Sequence, residues 1–199
     1  MAKGLDANQD MTDWAGQLVQ EGFGFVGRYI NHGKSQPLTT SEAQHLSTEG
    51  LYLVSIYEKG SPTEAAYFTI QRGAQDGNAA VQAAKATGQP TGTPIYFAVD
   101  YDADRCDLNT ICDYFKNVFT TVRGAGYFVG VYGSGMVCKT LTEQGWVHYT
   151  WLAQSRGWAG YDDWHDSASI VQGAETTWHG IDVDLDTSSG DAGGWQVAS

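Results

Sequence analysis

PIYFAVDYD, residues 94–102, is an apolar run that ends in acid. Ile95, Tyr96, Phe97, Ala98 and Val99 read as a buried strand, because a short uncharged stretch rich in aromatic and β-branched residues fits a covered sheet. Asp100, Asp102 and Asp104 follow at intervals of two. Outward from this stretch the same rhythm recurs. Residues 4–8, 23–30, 51–58, 127–134, 149–155, 169–173 and 180–186 also read as strands, making eight. Between them, 12–21 reads as a helix with Thr12 or Asp10 as its N-cap. Residues 39–50 read as a second helix, capped by Ser41 and closed by Gly50. The second half of 64–88 is alanine-rich and helical. Leu108 to Ala125 places Leu108, Ile111, Cys112, Phe115 and Phe119 on one helical face, and Met136 to Gln144 is a further helix. Strands alternating with helices predict parallel pairing in an α/β fold. Eight such units predict a compact (β/α)8 TIM-like barrel built as one domain, 1–199. The 199 residues fall short of the ~250 usual for that barrel, so the last units must be abbreviated. An open doubly wound sheet is the rival, but it usually has fewer strands.

Composition narrows the function. Hydrophobic residues make up 42% and charged residues 17%, which is globular. The net charge of -12 argues against nucleic-acid or anionic-membrane binding. A polysaccharide partner stays open, since aromatic faces and hydrogen bonds recognise sugars, and the chain has Trp 7 and Tyr 11. Most of those aromatics are expected simply to fill the core. Cys106, Cys112 and Cys138 form no disulfide framework; a Cys106–Cys112 bridge stays open, with free buried thiols favoured. No clustered His/Cys spacing indicates a structural metal, and no cofactor is expected. The N-terminus MAKGLDANQD lacks a signal-peptide run and no segment reaches membrane-spanning length. Synthesis in the cytoplasm is expected, without membrane insertion.

In a parallel barrel the C-terminal strand ends surround the active site. Here they carry Asp6 and Asn8, Arg28 and Tyr29, Tyr57 and Glu58, Asp100 and Asp102, Tyr132, Gln154, Gln172, and finally Asp182, Asp184 and Asp186. Residues i and i+2 share a strand face, so Asp100 and Asp102 are expected to point together about 7 Å apart, and Asp182 and Asp184 likewise. Carboxylates gathered in one mouth raise one another's pKa and can keep one acid protonated near neutral pH. Glycoside hydrolysis needs one protonated and one ionised carboxyl; a hard divalent cation could also use such oxygens; and any single acid is equally well read as solvated or capping. His32 and His179 lie near strand ends and are best read as solvated, with substrate contact as the alternative; His45 sits within a helix.

FVGRYI, PIYFAVDYD, VGVYGSG, YTWLAQS, IVQG and GIDVDLD, in that order, resemble the glycoside-hydrolase-like domains once catalogued as domain of unknown function 1906. That family is related to the lysozyme-like muramidases of glycoside hydrolase family 25. The resemblance implies a barrel from about Gly4 to Asp186 that cleaves bacterial cell-wall peptidoglycan. It implies Asp6, Glu58, Asp100, Asp102 and Asp184 as catalytic residues. Asp102 stands where muramidases carry a Glu general acid; because Asp is one methylene shorter, the acid is either Asp102 or, as its substitute, Glu58 at the third strand end. Asp182, Arg28, Tyr57, Tyr132, Trp151, Gln154 and Gln172 are the candidate substrate contacts. A non-catalytic glycan-binding module is the alternative, and a metal-dependent hydrolase the third. Action on the wall then needs an export route, through a holin, a secretion system or a carrier domain, and an immunity protein is a candidate partner.

Overall fold

The stretch at 94–102 forms β4, Pro94–Ala98, at the fourth place in a closed barrel. The computed structural model describes residues 1–31 and 36–197. The other strands are β1 (Ala2–Ala7), β2 (Phe23–Asn31), β3 (Tyr52–Tyr57), β5 (Phe128–Gly133), β6 (Tyr149–Leu152), β7 (Ile170–Trp178) and β8 (Ile181–Ser188), hydrogen-bonded in sequence order and closing β8 on β1. All pairs from β1 to β7 are parallel. β8 departs from the expected direction and runs antiparallel to both β7 and β1. The reason is local. β7 continues to Trp178, so only His179 and Gly180 precede β8, with φ of 48° and 86°. Two successive positive φ values make a tight hairpin turn, and a two-residue link can join only antiparallel neighbours.

Helices α1 (Ala15–Gln20), α2 (Thr40–Thr48), α3 (Ile70–Ala86), α4 (Leu108–Gly124), α5 (Gly135–Glu143) and α6 (Tyr161–Trp164) fill the connections. The N-cap of α2 is Thr39, which accepts from the Glu42 amide, and not Ser41. In α4 the buried stripe is Ile111, Tyr114, Phe115, Val118 and Val122, the spacing of one helical face. α3 meets α4 through glycine. A Cβ on Gly73 would sit 2.3 Å from the Tyr114 carbonyl oxygen, and one on Gly77 would sit 3.0 Å from Thr121. No helix among the described residues is long and apolar enough to cross a membrane. All three cysteines are free; Cys138 is buried and Cys106 exposed.

The barrel interior is filled by large rings placed against glycines of other strands. A Cβ on Gly4 would overlap the Phe25 ring, one on Gly130 the Tyr96 ring, and one on Gly27 both Trp151 and Asp6. With Val54, Ile56 and Ile170 these aromatics pack the inside. The C-terminal segment shuts the bottom: the Tyr96 hydroxyl donates to the Ala192 carbonyl at 2.8 Å, and Trp195 bridges to Leu53. At the upper end, the strand ends of β1 to β7 deliver their side chains to a cavity.

Gly73→Ala is expected to destabilise the chain by about 1–3 kcal/mol, because backbone must move to admit the methyl. Gly16→Ala, in α1 with nothing within 4 Å of its Cβ position, is expected to stabilise by about 0.5–1 kcal/mol. Urea unfolding of the two variants measures both signs; an unshifted Gly73→Ala midpoint would refute the close helix contact.

Candidate active site

Strand alternation decides which side chains reach the mouth. Gly27 and Trp151 face inward, so residues two apart from them do as well. Asp6, Tyr29, Ile56, Glu58, Ala98, Asp100, Tyr132, Trp151, Gln154, Gln172 and Asp184 line a cavity of 230 Å³ at the open end. Four of these are carboxylates, and no basic side chain lines this cavity. In a closed ring of eight, β4 lies opposite β8. Asp100, after the end of β4, therefore stands across the mouth from Asp184 on β8.

One amide organises the floor. Gln172 donates through Nε2 to Asp6 at 3.3 Å and to Asp184 at 3.1 Å. Its Oε1 accepts from the Tyr132 hydroxyl at 2.8 Å and from the Gln154 amide at 3.3 Å. Both donors and both lone pairs are thus used, which fixes the amide's orientation. Beneath it the Trp151 indole N–H donates to Asp186 at 3.0 Å. The reversed β8 sets this layer, pairing Asp184 with Asp6 and Asp186 with Gly4.

Burial and mutual repulsion set the protonation. Asp6 and Asp186 are both fully enclosed and in hydrogen-bond contact with each other. No donor serves the second Asp186 oxygen, and two carboxyls in contact without a donor between them must share a proton. Desolvation first and then the neighbouring carboxylates push both above the ordinary range. Asp184 is raised by burial, then by Glu175 and Asp100. Asp100 is raised by burial alone. The phenols of Tyr29 and Tyr132 are held protonated, chiefly by burial and then by Asp6 and Asp100 respectively.

Four expected site residues stand elsewhere. Arg28 has its side chain outside the barrel at 0% exposure, paired with Glu42 of α2 at 2.7 Å and donating to the Ala7 and Gln36 carbonyls. It braces β1, β2 and α2, not substrate. Tyr57 also points outward and donates to Asp76 of α3; that carboxylate also accepts from Tyr67 and Tyr114. Asp102 does not share a face with Asp100, because β4 ends at Ala98 and the two-residue period stops with it. Its carboxylate is exposed and accepts from the Ala159 amide at 2.8 Å. Asp182 lies beyond the rim, bonded by Thr177 across the hairpin. His179 sits at the hairpin tip, bonded to Glu21 and packed on Trp14 and Trp178. His32 lies outside the described residues. Tyr29 and Asp186, expected at strand ends but not among the candidate catalytic or substrate residues, belong to the site; the alternation from Gly27 and from Asp184 points to both. Among the described residues no group of three or more His, Cys, Asp or Glu side chains is arranged to hold a metal ion.

A carboxyl whose folded pKa is raised binds more protons folded than unfolded, so its burial weakens the fold as pH rises from about 4. Asp186→Asn keeps the acceptor for Trp151 and gives Asp6 a permanent N–H donor. Wild type is expected to lose thermal stability as pH rises from about 4 to about 8, the window between an ordinary carboxyl and the raised Asp6, while Asp186→Asn shows a flatter profile and melts higher at the alkaline end. Parallel profiles would contradict the shared proton.

Comparison with known proteins followed the same geometry. The model of the Rv2525c-like, glycoside hydrolase-like domain matches residues 16–188. Two uncharacterized Bacillus subtilis proteins, FadG and YbfG, are 32% and 34% identical over 162 and 159 residues, covering 76% and 72% of this chain. The chain spans 28% and 22% of their lengths. The Tat-secreted protein Rv2525c of Mycobacterium tuberculosis superposes with a TM-score of 0.83 over 98% of both chains at 22% identity. A muramidase from Acremonium alcalophilum superposes at 0.60 over 96% of this chain and 95% of its own, with 13% identity. The modular autolysin LytC of Streptococcus pneumoniae, solved with a synthetic peptidoglycan ligand, superposes at 0.64 over 94% of this chain and 46% of its own, with 16% identity.

Proposed function

The chain belongs to the Rv2525c-like glycoside hydrolase-like domain family, and on that footing we propose that it hydrolyses glycosidic bonds in a peptidoglycan-type glycan. The observation that carries this is the ring of four carboxyls at the barrel mouth, with Asp100 and Asp184 on facing walls. The fold shared with a muramidase and with an autolysin solved with a peptidoglycan ligand supports the substrate class. The wall, outside the cytoplasm, is then the place of action.

Roles follow from the two walls. On one wall Asp6 and Asp184 each accept an N–H from Gln172, which orients both carboxyls while burial raises the pKa of each. Asp184 also keeps one oxygen without a partner. It faces the sugar to stabilise positive charge at the anomeric carbon or to activate water. On the other wall Asp100 is held towards the protonated form by burial and protonates the leaving oxygen, with Glu58 on the adjacent strand end as its neighbour. Asp102, turned onto the Ala159 amide, takes no part. Asp6 and the buried Asp186 below it hold a proton and set the potential of the floor. Tyr132 and Trp151, stacked edge to face at 6.2 Å, give the sugar an aromatic wall.

Digestion of purified peptidoglycan, with released fragments identified by mass spectrometry, tests this. Wild type is expected to release fragments with new reducing ends. Asp100→Asn and Asp184→Asn are each expected to lose about 10²–10⁴-fold in rate, the scale of general acid–base catalysis, and Asp102→Asn to keep most of it. Folded wild type that binds sacculi but yields no products would overturn hydrolysis and leave a binding module.

A further inference from the structure

The mouth cavity does not end at its rim. A second cavity of 420 Å³ adjoins it and shares Gln154 and Gln172 with it. The two differ sharply in charge. The mouth carries four carboxyls and no cation. The adjoining cavity carries Arg156 and His165, and its only acid is Asp186. That carboxyl is buried, in contact with Asp6, and shares its proton, so it adds little negative charge to the wall. Tyr161, Val171, Ala174 and Leu185 supply a mostly apolar remainder.

Arg156 is exposed and, among the described residues, makes no hydrogen bond or ion pair. The acids nearest in the lining of its other small cavity, Asp162 and Asp163, do not pair with it. His165 is held beside it by Asp166 at 3.0 Å and by the Tyr161 ring. On the opposite flank of the mouth the surface is acidic again, with Glu175 and Asp182 beside Asp6 and Asp184. Of the two flanks of the mouth, one thus carries the guanidinium of Arg156 and the other carries carboxylates.

We propose that the Arg156 cavity is a selectivity subsite for a carboxylate carried by the glycan, one step along the cleft from the bond that is cut. It orients the chain, because a carboxylate at the opposite flank would meet Glu175 and Asp182. In a protein with net charge -12, Arg156 places a positive charge beside the mouth that attracts an anionic group over short range. The carboxylate belongs either to the sugar itself or to an attached peptide. This inference rests on the glycan reading of the mouth.

Titration calorimetry distinguishes these cases with three probes: the neutral N-acetylglucosamine tetramer, a peptide-free tetrasaccharide of alternating N-acetylglucosamine and N-acetylmuramic acid, and the same tetrasaccharide bearing stem peptides. Wild type, Arg156→Ala and Arg156→Lys are compared, with thermal melts as the folding check. Arg156→Ala is expected to bind the peptide-free acidic tetrasaccharide about tenfold more weakly, the scale of one charge-assisted hydrogen bond. Affinity for the neutral tetramer should not change, Arg156→Lys should recover part of the loss, and the wild-type preference should fade with added salt. A loss seen only with stem peptides assigns the carboxylate to the peptide and still supports the subsite. Equal affinity of wild type and Arg156→Ala for all three probes overturns the subsite while leaving the glycan reading intact. Failure of wild type to bind any of them overturns both.

Discussion

The site depends on the reversed last strand. Because β8 descends where a parallel strand would climb, Asp184 is set beside Asp6 at the mouth and Asp186 two residues deeper. A parallel β8 would have carried Asp186 towards the rim and put Asp182 at the floor in its place. The hairpin that imposes the reversal is anchored outside the barrel, where Trp178 packs edge-on to Trp14 and Phe23 and donates to Glu21 at 2.8 Å. The turn at His179 and Gly180 is thus tied to α1, and through it the position of two carboxyls is tied to the barrel's outer packing.

Such an arrangement costs stability locally. Buried acids in contact oppose folding unless protons or amide donors compensate them. Gln172 supplies two donors, Trp151 a third, and a shared proton the rest. The surrounding fold carries that cost through ring-against-glycine packing inside the barrel and the Gly73 contact between α3 and α4. Burial of Trp151, at 1% exposure, links the two levels: its ring fills the space left by Gly27, and its N–H holds Asp186.

Much of this was legible in the sequence, and the failures share a cause. Apolar runs located all eight strands and their order, because the strand period and the covering helices are local properties. The direction of β8 was missed because ETTW, residues 175–178, looks polar and loop-like, whereas it extends β7 until only two residues remain for the turn. Arg28 and Tyr57 were placed in the mouth because they end strands, although alternation turns them outward to Glu42 and Asp76, partners 14 and 19 residues away. Asp102 was misassigned by extending the two-residue period past the point where β4 stops. Asp6, Glu58, Asp100, Asp184, Tyr132, Trp151, Gln154 and Gln172 do converge on the cavity. The positive wall around Arg156 left no sequence signal, since it is assembled from a loop, α6 and the outer edge of β7 and β8.

The most direct measurement is the crystal structure of Asp100→Asn soaked with the peptide-free tetrasaccharide of N-acetylglucosamine and N-acetylmuramic acid. The expected result is a sugar ring held between the walls of Asp100 and Asp184 against Tyr132 and Trp151, with the chain continuing over Gln154 and Gln172. A glycan bound elsewhere on the protein, with the mouth filled only by solvent, would contradict a glycosidase site at the end of this barrel.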